Sequence, residues 1–97
     1  MATYNLNNYA PLITKKDLGE EIYQQIKGML KVNDQIDVEM GQIVSMTTFC
    51  AKQIFGRLYV ELGRDVYKRR VHLINPSEDV FFIIRIGITN AVRESKE

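Results

Sequence analysis

Three stretches of the chain repeat apolar side chains at the spacing of a helix, and short runs between them alternate apolar and polar residues like strands. In the first helical stretch, Leu18, Ile22, Ile26, Met29 and Leu30 form one stripe. Thr14 followed by Asp17 resembles a capping box and predicts a start at Thr14. Lys27 and Lys31 fall near the end, where the helix dipole favours cations. Gly19 and Gly28 each weaken this helix by about 0.5–1 kcal/mol relative to alanine. After a Val32-Asn33-Asp34 turn, Ile36, Val38 and Met40 alternate with Asp37 and Glu39. That alternation predicts an edge strand, or one whose second face carries a polar site. The second helix starts at Met46-Thr47-Thr48, with threonine as N-cap. Its stripe is Ala51, Ile54, Phe55, Leu58 and Leu62. Gly63 is placed to end it as a C′ residue in the left-handed conformation, and Gly56 implies close approach of another backbone.

The last third begins with a charged connector, residues 64–70. Val71-His72-Leu73-Ile74 follows as the best candidate for a buried strand. In Asn75-Pro76-Ser77-Glu78, Asn75 or Ser77 can cap and Pro76 fits a first helical position. A helix over residues 76–92 would bury Val80, Ile83, Ile84, Gly87, Ile88 and Ala91. Phe82, Ile84, Ile86 and Ile88 also alternate as a strand would, but the start signals and the length favour the helix. Residues 4–9 are a weak, asparagine-rich strand candidate that Pro11 interrupts.

With 97 residues the chain has room for one core, so residues 1–97 read as a single domain. Thirteen basic and twelve acidic side chains leave a net charge of +1, which gives no global field to steer nucleic acid or an anionic membrane. The longest strongly apolar stretch, residues 80–88, is far short of the roughly 20 residues a membrane span needs. No signal segment is evident at the N-terminus, so a cytoplasmic location is expected.

Candidate chemistry is sparse. Cys50 and His72 are each the sole residue of their type, which leaves no histidine cluster and no cysteine-rich metal site. As a nucleophile and base they lack a third member, so Cys50 reads as a core residue and His72 as a strand histidine. Asp37 and Glu39 share a strand face about 7 Å apart, but without histidine they read as solvated charges. Lys68-Arg69-Arg70, with Arg57, Arg64 and Tyr67, could touch phosphates, yet Glu61 and Asp65 interrupt the cluster. Thr47 and Thr48 are the most informative pair, because a hydroxyl at a helix start tolerates added negative charge. On sequence alone simple capping is the favoured reading. No catalytic residue, metal or cofactor is expected.

The strand ending Asp37-Val38-Glu39-Met40, the segment Ile43-Val44-Ser45-Met46-Thr47-Thr48-Phe49, and the helix ending Glu61-Leu62-Gly63 together resemble the bacterial STAS-like domain family. That family is related to sulfate transporter and anti-sigma factor antagonist domains. The resemblance runs over residues 12–88 and includes the strand and helix start from Val71 to Glu78. Glu39-Met40 stands where the family usually has Asp-Phe, and threonines stand where its turn has serines. In antagonists of this family a serine of the turn is phosphorylated by an anti-sigma kinase, and alignment of the turn puts that position at or next to Thr47. The resemblance implies a non-enzymatic regulatory module that binds a histidine-kinase-type ATPase or anti-sigma-like kinase through Thr47 and Thr48. The alternative is a scaffold or homodimer using Phe81, Phe82 and Ile86; a small nucleic-acid binder is less favoured. The expected fold is α/β: a small mixed sheet with about three helices packed mainly on one side.

Overall fold

A computed structural model describes residues 2–96. Strand β1 (Ala2–Asn5) passes through a 3-10 turn (Leu6–Tyr9) into the two-residue β2 (Leu12–Ile13) and helix α1 (Lys16–Val32). Strands β3 (Ile36–Glu39) and β4 (Ser45–Met46) follow. A continuous helical rod over residues 48–62 comprises α2 (Thr48–Ala51), a π-helical turn (Lys52–Gly56) and α3 (Arg57–Leu62). Helix α4 (Arg64–Arg70), strand β5 (Val71–Ile74) and helix α5 (Glu78–Ser95) complete the chain.

The class is α/β, as the sequence predicts. The main sheet has the order β1-β3-β5, with both pairings parallel, and β2 pairs with β4 in a separate parallel ladder. A mixed sheet is expected from sequence; the parallel arrangement arises because helical crossovers, not hairpins, join the three main strands. Their spatial order repeats their chain order. Right-handed crossovers that never reverse direction must leave their helices on one face. The opposite face carries Thr3, Asn5, Asp37, Glu39 and His72, which are exposed or half-buried.

Strand β3 is therefore central. Of the two readings of its alternation, the polar second face is the one that holds. Ile36 and Val38 are fully buried while Asp37 and Glu39 are half-buried. The 71–74 run is instead an edge strand, as is β1. Only Val71 is buried in it, because an edge strand has a neighbour on one side alone. Within residues 4–9 the strand is shifted to Ala2–Asn5 and gives way to the 3-10 turn.

Helix starts depart from the local signals in two places. Thr14 does not cap α1; Lys15 occupies the N-cap position with no side-chain cap bond. The β2–β4 ladder is the reason, since it keeps the chain extended through Ile13, whose carbonyl accepts the Thr47 N–H at 3.0 Å. Pro76 does not open α5. Ser77 is the N-cap, with its hydroxyl accepting the Val80 N–H at 3.2 Å. Residues 64–70 are not a connector but a helix, which starts where Gly63 adopts φ +88° and ψ 157°. L-residues with a Cβ essentially never occupy that region. Arg70, at the end of α4, donates to the carbonyls of Leu30, Asn33 (3.0 Å) and Asp34 (2.8 Å) and so closes the C-terminus of α1.

The helical layer is built around the rod, which packs against α1 on one flank and α5 on the other. A Cβ on Gly56 would lie 2.7 Å from the Gly87 carbonyl oxygen, and one on Gly87 would lie 2.6 Å from the Lys52 nitrogen. The two backbones thus touch directly, as Gly56 alone suggested. Gly87→Ala is expected to destabilise the protein by about 3 kcal/mol, because neither backbone can yield without shifting a whole helix. Gly28 has open space around it, so Gly28→Ala is expected to stabilise α1 by about 0.5–1 kcal/mol. Urea unfolding of the two variants beside wild type measures both shifts.

Candidate functional site

The helix starts that follow β3 and β5 lie toward the carboxyl ends of the parallel strands. At this end a single carboxylate ties three chain segments together. Glu39 Oε2 accepts the Gly41 N–H at 2.7 Å and the Asn7 side-chain amide at 3.4 Å, while Oε1 accepts the Asn75 amide at 2.7 Å. Asn7 Oδ1 in turn accepts the Gln42 N–H at 2.8 Å. Asn75 holds φ 58°, in the left-handed region that asparagine tolerates better than most residues. The Gly41 N–H above all, then the Asn75 amide, holds the Glu39 carboxyl below its ordinary range. Glu39 is thus a brace between β1, β3 and β5 and not a free acid or base.

Beside this brace lies the ledge made by β2, β4 and the start of the rod. Thr47 is the N-cap: its hydroxyl accepts the Cys50 N–H at 3.1 Å and is half-buried. Thr48, the first helical residue, is exposed. The pair is therefore divided in role, with one hydroxyl committed to capping and the other open to solvent. Leu12, Val44 and Phe49 along the same segments are 52%, 63% and 50% exposed. Backbone bonds fix these segments in relation to one another: Val44 N–H donates to the Pro11 carbonyl at 2.8 Å, and Leu12 sits opposite Ser45. Exposed apolar side chains concentrated on a rigid ledge are suited to covering by another macromolecule.

The other sequence candidates are dispersed. Cys50 is fully buried, and its thiol lies 3.6 Å from the Lys15 carbonyl, inside the helical layer. His72 lies on the far face of the sheet, with Nδ1 3.4 Å from Asp37 Oδ1. Sheet and core separate it from Cys50, so the two cannot act as nucleophile and base. Thr3, Asp37 and His72 are register partners across the sheet. The aspartate stands in the middle of that row, where a hydroxyl nucleophile would need the histidine. The basic cluster also comes apart. Arg57 forms an ion pair with Glu20 at 2.8 Å and stacks 3.7 Å from the Tyr23 ring centre, while Arg70 is committed to α1. Among the described residues no group of three or more His, Cys, Asp or Glu side chains could hold a metal ion. No helix there is long and apolar enough to cross a membrane.

The Glu39 brace escapes a sequence reading that treats Asp37 and Glu39 as an equivalent pair. Gly41 and the Asn-Pro step at Asn75 are the local signs of turns at both strand ends, but the shared carboxylate joins residues more than thirty positions apart. Glu39→Gln is expected to lower the Tm at neutral pH. The sign follows from the depressed folded value: the ionised form stabilises the fold above the ordinary 4.5, and that contribution is lost as pH falls through the folded value. The Tm gap between wild type and variant is therefore expected to narrow as the pH falls below the ordinary 4.5 in a calorimetric pH series. Comparison of the chain with family models, curated proteins and solved structures yields no match in any of the three.

Proposed function

We propose that the chain is a non-enzymatic regulatory interaction module of the STAS-like type, which docks a kinase-like ATPase on the ledge around Thr48. The observation that carries this reading is the division of labour between the two threonines. The Thr47 hydroxyl caps the rod, whereas Thr48 is exposed next to exposed Phe49, at the end of the segments that carry exposed Leu12 and Val44. A phosphate on Thr48 would sit at the positive end of a fifteen-residue helical rod, where the fold tolerates added negative charge. The same charge on an apolar docking ledge is costly to a partner surface built for a neutral turn. Thr48 can thus switch binding without touching the core.

The test is affinity capture from the source cells with wild-type protein, Thr48→Asp and Phe49→Ala, followed by mass spectrometry for a histidine-kinase-type ATPase. Wild type is expected to retain the ATPase and both variants to lose it. Thr48→Asp should change folding stability by less than about 1 kcal/mol. Recovery of no such ATPase, or full retention by both variants, overturns the reading and leaves capping as the whole role of the turn.

A second reading has its own support. Phe81 and Phe82 on α5 are 46% and 61% exposed, more than a helix facing only its own core requires. A homodimer that covers them is expected to dissociate in Phe82→Asp while the monomer stays folded. Light scattering after size exclusion decides the point, and a concentration-independent wild-type monomer removes it.

A further inference from the structure

A groove of about 450 Å³ runs between α3 and α4 on one side, β5 at its floor and α5 on the other. None of its lining residues belongs to the ledge, so this inference stands apart from the Thr48 reading; Phe81 is shared with the dimer face of the second reading, and the two occupants would exclude one another. Its walls are aromatic and branched: Tyr59, Leu73, Phe81 and Ile88 face it, and Tyr67 packs its ring 5.2 Å from that of Tyr59. Its volume falls within the range of sites for small organic ligands.

The charge around the groove gives the ligand its chemistry. The charged side chains lining it are Lys68 and Arg85; no carboxylate lines it, and neither cation joins an ion pair among the described residues. An apolar, ring-lined groove with two cations and no carboxylate complements an anion with an apolar body.

We propose that this groove binds a small amphipathic carboxylate of the arylalkanoate class, with its ring between Tyr59, Phe81 and Ile88 and its carboxylate held by Arg85 and Lys68. A planar carboxylate matches the guanidinium fork of Arg85, and Lys68 adds a point charge. A neutral analogue with the same body would fill the groove but leave both cations unanswered. Binding slides an apolar body under the Phe81 ring, which is half exposed in the free protein.

The probe is 4-phenylbutyrate, titrated into methyl-labelled protein and followed by NMR. Saturable shifts confined to Leu73, Ile84 and Ile88 are expected, with a dissociation constant below about 1 mM. The alcohol of the same skeleton, 4-phenyl-1-butanol, is expected to bind at least about tenfold more weakly. Arg85→Glu should lose binding by a similar factor while keeping a dispersed spectrum. Arg64→Glu, outside the groove, should bind as wild type does. Absence of saturable shifts up to about 10 mM, equal binding of the alcohol, or unchanged binding in folded Arg85→Glu each overturns the proposal. So does a titration in which an acidic amphipathic peptide shifts the same methyls and 4-phenylbutyrate does not.

Discussion

Backbone contact between the rod and α5 is the constraint from which the helical layer follows. Gly56 and Gly87 leave no side chain at the crossing, so each helix meets the main chain of the other. The rod is squeezed from the opposite flank as well, where Gly19 of α1 admits the Gln53 side chain, whose amide donates to the Lys16 carbonyl at 2.9 Å. With both flanks fixed, Ile54, Phe55 and Leu58 are fully or almost fully buried, and the positions of α1 and α5 over the sheet are set. The strands need little more than their inward rows, Tyr4, Ile36, Val38 and Val71, to complete the core. Packing of this density responds to a single added methyl as to a structural change, because interiors have almost no slack.

One-sided layering divides the molecule's surfaces by purpose. The far face of the sheet is polar and half open, with Asp37 and His72 in contact on it. The carboxyl end is stitched by Glu39, which uses its acceptors internally and so holds the strand ends together. Two surfaces with open groups are the ledge, with its exposed apolar side chains and Thr48, and the groove beside β5, lined by Lys68 and Arg85 without a carboxylate.

Much of this arrangement is legible in the sequence because it is local. The stripes of α1, the rod and α5 emerge from periodicity, Thr47 from its place before an apolar repeat, and Gly56 from being a glycine where a helix should have none. What the sequence withholds depends on distant partners. Thr14-x-x-Asp17 is a sound capping pattern, but the β2–β4 ladder holds the chain extended there and moves the start to Lys16. The VHLI run cannot reveal that β5 lies at an edge, because strand order is a property of the assembled sheet. Residues 64–70 look like a charged loop because their helix is short and its one buried anchor is Tyr67. Among the candidate site residues, Thr47 and Thr48 look equivalent in sequence; only the bond to the Cys50 N–H separates the capped hydroxyl from the free one.

The π-helical turn at Lys52–Gly56 is the part of the rod that holds spare length. Such turns are wider than α-turns and fit an additional residue into the helix. Each α-helical residue turns the direction of its side chain by about 100°. A chain one residue shorter at this turn would wind as plain α-helix with the downstream facing unchanged, so Leu58 would stay on the core. The same loss in the middle of α1, which has no such slack, would carry Ile26 and Leu30 off the core by about that angle.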